Sequence, residues 1–372
     1  MPNYVRPQRG RCTGCGACLA VCSAGAIMMI PDKEGFVMPK VSAEYCTGCK
    51  ACRVVCPINR RGFLKNANEP HFYVAQNKNA EVLSVSSSGG AFTALSDEVF
   101  RRGGVIYGVA FDENLKVRHC RAEDFSARDR MRFSKYVQSD MTGIYESIRD
   151  DLENERTVLF TGTPCQCAGV QAVFGKPAGL YLCDLVCHGV PSPLLWEKYR
   201  EALAREHGGR AVTWAAFRTK AKDGNRGRFQ VYFKVDDGME QFEDTRFFEL
   251  YVRGCYVLRP SCYACPFTDT LRVSDFTIAE YRGIEKYSKA WDDYRGVSLI
   301  LAGTPKGEKF LLGTPGLCYE RRAPIEALNE QKRLSEPASA PADRSRFWEV
   351  FHKRGFSAAA EDICYLHPEL RA

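Results

Sequence analysis

Between residues 71 and 209 short runs of Val, Leu, Ile, Phe and Tyr alternate with stretches of helical spacing, which predicts strands and helices in turn. HFYVAQNK (71–78) and EVLSV (81–85) read as short strands. AFTALSDEVFRRGG (91–104) carries apolar residues at helical spacing in Phe92, Leu95, Val99 and Phe100, and Gly103-Gly104 ends the helix. VIYGVAFD and KVRHCRA read as strands, SKYVQSD as a loop and MTGIYESIRDDLENER as a helix. TVLFTGTPCQCAG (157–169) reads as a buried strand breaking into a turn. LYLCDLVCHG repeats that plan before a helix in SPLLWEKYREALAREHGG. Such alternation argues for an α/β arrangement, in which functional groups gather at strand ends, where Cys165 and Cys187 fall.

Beyond Gly209 the pattern turns β-rich, with strands expected in AVTWAAFRT and RFQVYFKVDD, a helix around FFELYVRGC, and a further strand and helix in GVSLILAGTPKGEKFLL. SEPASAPAD (335–343) has linker composition. The helix expected in SRFWEVFHKRG offers Phe347, Trp348 and Phe351 for packing. At the other end, INRRGFLKNANEP is polar and aperiodic and reads as a linker.

Ahead of that linker lies the sharpest chemical signal. Eight of the 18 cysteines form two copies of C-x2-C-x2-C-x3-C: Cys12, Cys15, Cys18, Cys22, then Cys46, Cys49, Cys52, Cys56. The spacing is that of two-cluster ferredoxins, in which the fourth cysteine of each run ligates the other cluster. The expected sets are therefore Cys12, Cys15, Cys18 and Cys56 for one [4Fe-4S] cluster, and Cys46, Cys49, Cys52 and Cys22 for the second. Thr13, Gly14, Gly16, Thr47 and Gly48 let backbone N–H groups turn toward the sulfurs. Zinc sites would leave the C-x3-C step unexplained, and disulfides would suit a small secreted domain.

The chain has 372 residues, far more than a ferredoxin needs, so the clusters serve something larger. With 45% hydrophobic and 26% charged residues it has the composition of a globular protein able to bury a core. No run of about 18 apolar residues suggests a membrane span. The start, MPNYVRPQRGRC, lacks the apolar centre of a signal peptide. Oxygen-sensitive clusters agree with a reducing compartment, and the reading places the protein in the cytoplasm. The formal charge is +7; from Arg205 to Lys234 eight basic residues, among them Arg218, Lys220, Lys222, Arg226 and Arg228, face two acidic ones. That stretch suits either an acidic electron carrier or a solvated surface, and no nucleic-acid motif accompanies it.

Two further features carry chemistry. SSSGG (Ser86 to Gly90) opening a helix presents free N–H groups and a positive dipole end, either a phosphate site or an ordinary helix start capped by Ser88. Cys262 and Cys265 form a lone C-x2-C; with Cys165 and Cys187 they make a third four-thiolate site conceivable, although dispersed spacing does not establish one. Cys120, Cys167, Cys183, Cys255, Cys318 and Cys364 have no ligand pattern, and core packing is expected for each.

From Ser87 to about Gly307 the chain resembles the coenzyme F420 hydrogenase/dehydrogenase beta-subunit family. The matching stretches are SSSGG, SKYVQS, FTGTPCQ, DLVCHGVPSP, LRPSCYACPF and GVSLILAGTPKG, in the family's order. The resemblance implies a mixed α/β (α+β) FAD-binding core behind a ferredoxin-like domain, with a third [4Fe-4S] cluster on Cys165, Cys187, Cys262 and Cys265. It implies that Ser87, Ser88, Gly89 and Gly90 cradle the flavin phosphates, that Lys135, Tyr136 and Ser139 lie along the cofactor, and that Thr163 and Pro164 shape the turn placing Cys165. Lys135, His188 and Glu280 are the candidate catalytic residues; for His188 a plain hydrogen bond to a carbonyl is the competing role. Where the family commonly reads SD-x-T-x-GD-F/Y-WG, this chain has SDFTIAEYRGI, with Ala279, Glu280 and Arg282 at the altered positions. Losing an aromatic and gaining a guanidinium changes what can stack or pair there.

The expected organisation is a ferredoxin-like domain over residues 1–60, a linker 61–70, two parts of the core over 71–205 and 206–334, and a linker with a C-terminal helix over 335–372. The expected function is an FAD-dependent iron-sulfur oxidoreductase. It would pass electrons between a ferredoxin-like carrier, its clusters and a flavin that exchanges hydride with a small molecule, F420-type or other. The alternative is an electron-transfer subunit of a larger redox complex without a substrate of its own. A redox-sensing role would leave the flavin motifs idle. Neither nucleic acid nor a membrane is expected as a partner, and assembly into a homo-oligomer is left open.

Overall fold

The two cysteine runs fold as the repeat they resemble. In the computed structural model, whose described residues are 5, 7–217, 230–236, 238, 240–292 and 294–370, each run turns through left-handed residues into a one-turn helix, Ala17–Ala20 or Ala51–Val54. The helix caps are Gly16 at φ 82° and Lys50 at φ 67°. Glycine adopts that conformation freely, whereas the lysine accepts about 1–2 kcal/mol of strain to keep the same path. A hairpin of β1 (Ile27–Pro31) and antiparallel β2 (Val37–Val41) joins the two halves.

The rest is built on an eight-stranded mixed sheet. Its strands are β3 (His71–Asn77), β4 (Val105–Phe111), β5 (Val117–Ala122), β6 (Val158–Gly162) and β7 (Leu180–Leu185), then, after a separate antiparallel sheet of β8 (Val212–Phe217), β9 (Val231–Val235) and β10 (Phe242–Asp244), β11 (Phe276–Glu280), β12 (Ser298–Ala302) and β13 (Leu317–Arg322). The order is β13-β3-β12-β11-β7-β6-β4-β5. The four inner strands β11, β7, β6 and β4 run parallel, and all outer pairings are antiparallel. β6 is buried along its whole length, as an apolar strand between covered faces must be.

Apolar contacts join the units. Ala17, Val55 and Leu64 share one buried cluster with Tyr107, Tyr145, Phe160 and Ala168, so the cysteine-rich unit packs on the sheet's helical layer. Arg344, heading the helix Arg344–Arg354, donates to both carboxylate oxygens of buried Glu34 at 3.0 and 2.6 Å, and Ser192 donates to the Glu34 carbonyl. Phe347, Trp348 and Phe351 pack into the cluster that holds the small sheet, the role expected of them. Among the described residues no helix is long and apolar enough to cross a membrane.

Several local expectations are corrected. EVLSV is not a strand: Asn79 caps a helix, Ala80–Ser84, by accepting from the Glu81 N–H at 2.8 Å. The strand at 158–162 breaks into a helix, Pro164–Phe174, where Thr163 caps and Gln166 completes a capping box. A second C-terminal helix, Phe356–Leu366, was not anticipated. Residues 61–70 include the short helix Arg61–Leu64, and Asn66 is buried and donates to the Ser274 carbonyl at 2.8 Å. Cys167, Cys183 and Cys255 are buried as expected, but Cys318 is exposed on the edge strand β13. The basic residues Arg218, Lys220, Lys222, Arg226 and Arg228 lie outside the described residues.

Candidate functional site

Three cysteine cages and one large pocket follow one another through the protein. The outermost cage is a recess lined by Cys22, Cys46, Cys49 and Cys52, walled by Ala26, Ile27 and Val41. The Cys52 sulfur accepts from the Val5 N–H at 3.3 Å, and Cys49 is exposed. Its thiol is drawn below the usual range by the Ala51 N–H and the Thr47 side chain.

The second cage collects Cys12, Cys15, Cys18 and Cys56. Burial pushes the Cys18 thiol up to about 12, with Cys12 and Cys56 adding repulsion, and burial raises Cys56, again beside Cys12. Cys15 moves the same way for the same reason. The fourth cysteine of each run thus stands with the other run's first three.

The third cage is assembled from distant segments: Cys165 in the first turn of helix Pro164–Phe174, Cys187 just past β7, and Cys262 with Cys265 around the 3-10 turn Pro260–Ala264. Burial raises the Cys165 thiol to about 11 and Cys262 to about 12, and each feels Cys265. Cys187 is raised by burial and by Cys262, Cys165 and Cys265. Thiols so placed hold their protons unless a cation replaces them. Among the described residues no three His, Cys, Asp or Glu side chains close on one point that would hold a single metal ion. Four buried thiols within electrostatic reach of one another suit a four-iron core, whose irons bring the positive charge that buried thiolates need.

The second and third cages adjoin. A methyl group on Gly169 would lie 3.2 Å from the Cys15 sulfur, so this glycine lets the N-terminal loop sit on the helix that Cys165 begins. Tyr145 donates to the Cys15 carbonyl at 2.8 Å across the same boundary.

The pocket opens at the carboxyl ends of the parallel strands, the usual ligand position of α/β sheets. It encloses about 1980 Å³ including its open mouth, and Cys165 and Cys187 lie in its wall. Ser87, Ser88, Gly90, Lys135, Tyr136, Ser139 and Thr163 line it, as do His188 and Glu280; Gly89 and Pro164 stand behind the lining. Gly90, at φ 73°, caps helix Ala91–Arg101 without a side-chain bond, so Ser88 is not the cap, and Ala91, Phe92 and Thr93 of the first turn line the cavity. Arg132, Lys135, Arg282 and Arg333 bring four cationic side chains to the wall against a single carboxylate, Glu280, which lies 3.9 Å from Arg282.

Several side chains are already engaged. Lys135 donates to the Arg130 and Arg132 carbonyls, both at 2.7 Å, and burial brings its pKa down to about 7. The His188 Nδ1 accepts from Arg333 at 3.0 Å while its Nε2 faces the Cys255 sulfur at 3.4 Å, and the Tyr251 backbone also bonds the ring, so a guanidinium, a thiol and a carbonyl share the imidazole. Burial, then Arg333, hold that imidazole near 4 and neutral. Ser139 sits in a closed network: it accepts from Gln166 at 2.9 Å and donates to His119 Nδ1 at 2.9 Å, while His119 Nε2 donates to the Thr161 carbonyl at 3.0 Å. Ser139 therefore stiffens the wall rather than offering a donor to a ligand.

Sequence reasoning missed His119, Arg132, Gln166 and Arg333. Gln166 lies inside the stretch FTGTPCQ and Arg132 just before SKYVQS, where adjacency was the available signal. Arg333, far along the chain, had none.

Residues 11–59 match the 4Fe-4S dicluster domain family, and residues 155–314 match the family described as the C terminus of the coenzyme F420 hydrogenase/dehydrogenase beta subunit. No curated protein matches. Among solved structures the chain is similar to one from the F420-reducing [NiFe] hydrogenase complex of Methanosarcina barkeri, in a xenon-derivatised form. The identity is 15% and the TM-score 0.47, over 80% of this chain and 91% of that one.

Proposed function

From a chain that carries a 4Fe-4S dicluster domain and the C-terminal domain of the coenzyme F420 hydrogenase/dehydrogenase beta-subunit family, we propose a flavin-dependent oxidoreductase with three [4Fe-4S] clusters. At its coarsest it is an iron-sulfur electron-transfer protein related to those beta subunits. Clusters pass single electrons and FAD converts them to hydride exchange, which is the reason to join the two in one chain.

One observation carries the reading: Cys165 and Cys187 belong at once to the third cage and to the wall of a pocket that is cationic and opens at helix Ala91–Arg101. The eight N-terminal cysteines would hold the outer two clusters, and Cys165, Cys187, Cys262 and Cys265 the third. The helix start after Ser87, Ser88, Gly89 and Gly90, with Arg132 and Lys135, would hold the FAD pyrophosphate. Tyr136 and Thr163 shape the wall, and Arg282 and Arg333 stand near Glu280 and His188 to orient a hydride donor or acceptor, F420-type or other. A ferredoxin-like carrier or a member of a redox complex would exchange electrons at the exposed Cys49 end.

Iron and flavin content of protein prepared without oxygen tests this. About 12 irons and one FAD per chain are expected; about eight irons with no flavin would overturn the third cluster and the flavin together.

The pH dependence of FAD binding follows from Lys135. Its ammonium, held near 7 by burial, is charged below that pH and neutral above it, so affinity is expected to fall as pH rises through about 7. Because the folded value lies below the unfolded value of 10.5, the ligand-free protein also gains stability between those pH values. Flavin fluorescence titrations should show a slope that Lys135→Met flattens; equal slopes in both proteins would remove Lys135 from the anion site.

A second reading has support from the engaged side chains. His188 and Lys135 have protein partners and Glu280 lies near Arg282, which favours an electron-transfer subunit whose substrate site belongs to another chain. A stable partner recovered by pull-down, with no turnover of a hydride acceptor by the isolated chain, would select it.

A further inference from the structure

Arg259 is 1% exposed, and no described residue gives it a carboxylate partner. Its side chain leaves the third cage and enters the second. Its backbone carbonyl accepts from the Cys262 N–H at 2.8 Å, while its Nε donates to the Cys12 carbonyl at 2.7 Å. The two terminal nitrogens donate to Gln138 Oε1 and to the Val37 carbonyl, each at 2.9 Å, and Phe36 lies under the guanidinium at 5.4 Å. A methyl on Gly14, inside the first cysteine loop, would stand 2.8 Å from Nη1.

Every oxygen partner is neutral. A fully desolvated guanidinium is costly unless negative charge lies near it, and neutral acceptors satisfy its hydrogen bonds without neutralising it. The negative charge available is that of the thiolates on either side: the Cys12 loop on one, Cys165 and Cys262 on the other.

We infer that Arg259 is a shared redox-positioning residue, a fixed positive charge between the second and third cages that raises the reduction potentials of both inner clusters relative to the outermost one. Adding an electron makes a cluster more negative, so a nearby buried cation favours the reduced form, and burial keeps solvent and salt from screening it. The outermost cage, lined by Cys22, Cys46, Cys49 and Cys52, does not share this residue. An electron arriving there would find both inner stations more favourable, which directs it toward the pocket.

The inference rests on the cluster-binding reading, and an EPR-monitored redox titration of the full chain tests it. Arg259→Met keeps much of the apolar volume and removes the charge. It is expected to shift the reduction equilibria of the two inner clusters at least tenfold toward the oxidised form, about 59 mV each for one electron, and to leave the outermost cluster within threefold. Arg259→Lys keeps the charge and is expected to hold all potentials within threefold of the unsubstituted protein. Unchanged inner potentials in the Met variant, an equal shift of all three clusters, or a Lys variant displaced as far as the Met variant would each overturn it. So would loss of the inner clusters from both variants, which would make the residue structural. If the unsubstituted protein holds only about eight irons, the third-cluster assignment fails, while Arg259 is still tested on the cluster held by Cys12, Cys15, Cys18 and Cys56.

Discussion

Cys165→Ser is expected to leave about eight irons per chain and to slow electron delivery from the N-terminal clusters to the flavin by at least about a hundredfold. The position makes the substitution selective. The eight cysteines of the two N-terminal cages lie in residues 12–56, within the dicluster domain, and none needs Cys165. Helix Pro164–Phe174 keeps its cap because Thr163 and Gln166 supply it, with Thr163 N–H donating to Gln166 Oε1 at 3.0 Å, and serine adds no volume. What is lost is one of four thiolates, and with it the station between the Cys15 loop and the pocket wall. Stopped-flow reduction through a ferredoxin-type donor, beside direct chemical reduction of the flavin as control, separates a broken path from a lost flavin. Unchanged reduction kinetics would sink the role given to the third cage.

The parts of this architecture that could be read from sequence are those whose chemistry is local. The paired cysteine runs fix ligand type and spacing within a dozen residues each, and Cys22 stands with Cys46, Cys49 and Cys52 while Cys56 stands beside Cys12 and Cys18, the crossing that the repeat implies. The inner strands were legible because strands covered on both faces are nearly uninterrupted apolar runs, as in β6 and β7. EVLSV misled because five residues cannot distinguish periods of 2 and 3.6, and the decisive cue was the capping Asn79 outside the run. β13 was passed over because one residue, Leu317, is buried in it and the rest face outward, as suits an edge strand.

Non-local assembly hid the rest. The third cage takes its thiols from positions 165, 187, 262 and 265; the C-x2-C and the strand-end cysteines made that grouping conceivable, and a resemblance to a family was needed to favour it. Arg259 was in view within LRPSCYACPF, but nothing in that stretch says that its side chain spans to Cys12. Arg132 and Arg333 reach one pocket from places some two hundred residues apart, so the pocket's positive character is a property of the fold rather than of any motif.

Gly89→Ala is expected to abolish FAD retention and to destabilise the protein by at least about 1–3 kcal/mol. Gly89 is not in the pocket wall; it lies where the SSSGG loop crosses the sheet. A Cβ there would stand 2.5 Å from the Ala75 carbonyl oxygen, 2.5 Å from the Ser298 nitrogen and 2.9 Å from the Val297 carbonyl carbon. All three are backbone atoms of β3, β12 or the residue before β12, so no side chain can rotate away and the loop itself must lift. The Gly89 carbonyl accepts from the Asn77 N–H at 2.7 Å, and lifting the loop breaks that bond as well. Ser87, Ser88 and Gly90 would then move together with the first N–H groups of helix Ala91–Arg101, the donors proposed for the pyrophosphate. Each 1.4 kcal/mol of lost contact weakens binding about tenfold, so losing two such donors removes the cofactor at ordinary concentrations. Gly62→Ala is the control: among the described residues no atom beyond its own helix and chain neighbours lies within 4 Å of a Cβ built there, and its φ is not positive, so melting temperature and flavin content should stay at the level of the unsubstituted protein. A Gly89→Ala protein that keeps both would show that the loop tolerates displacement, and that the helix start at Gly90 is not what holds the cofactor.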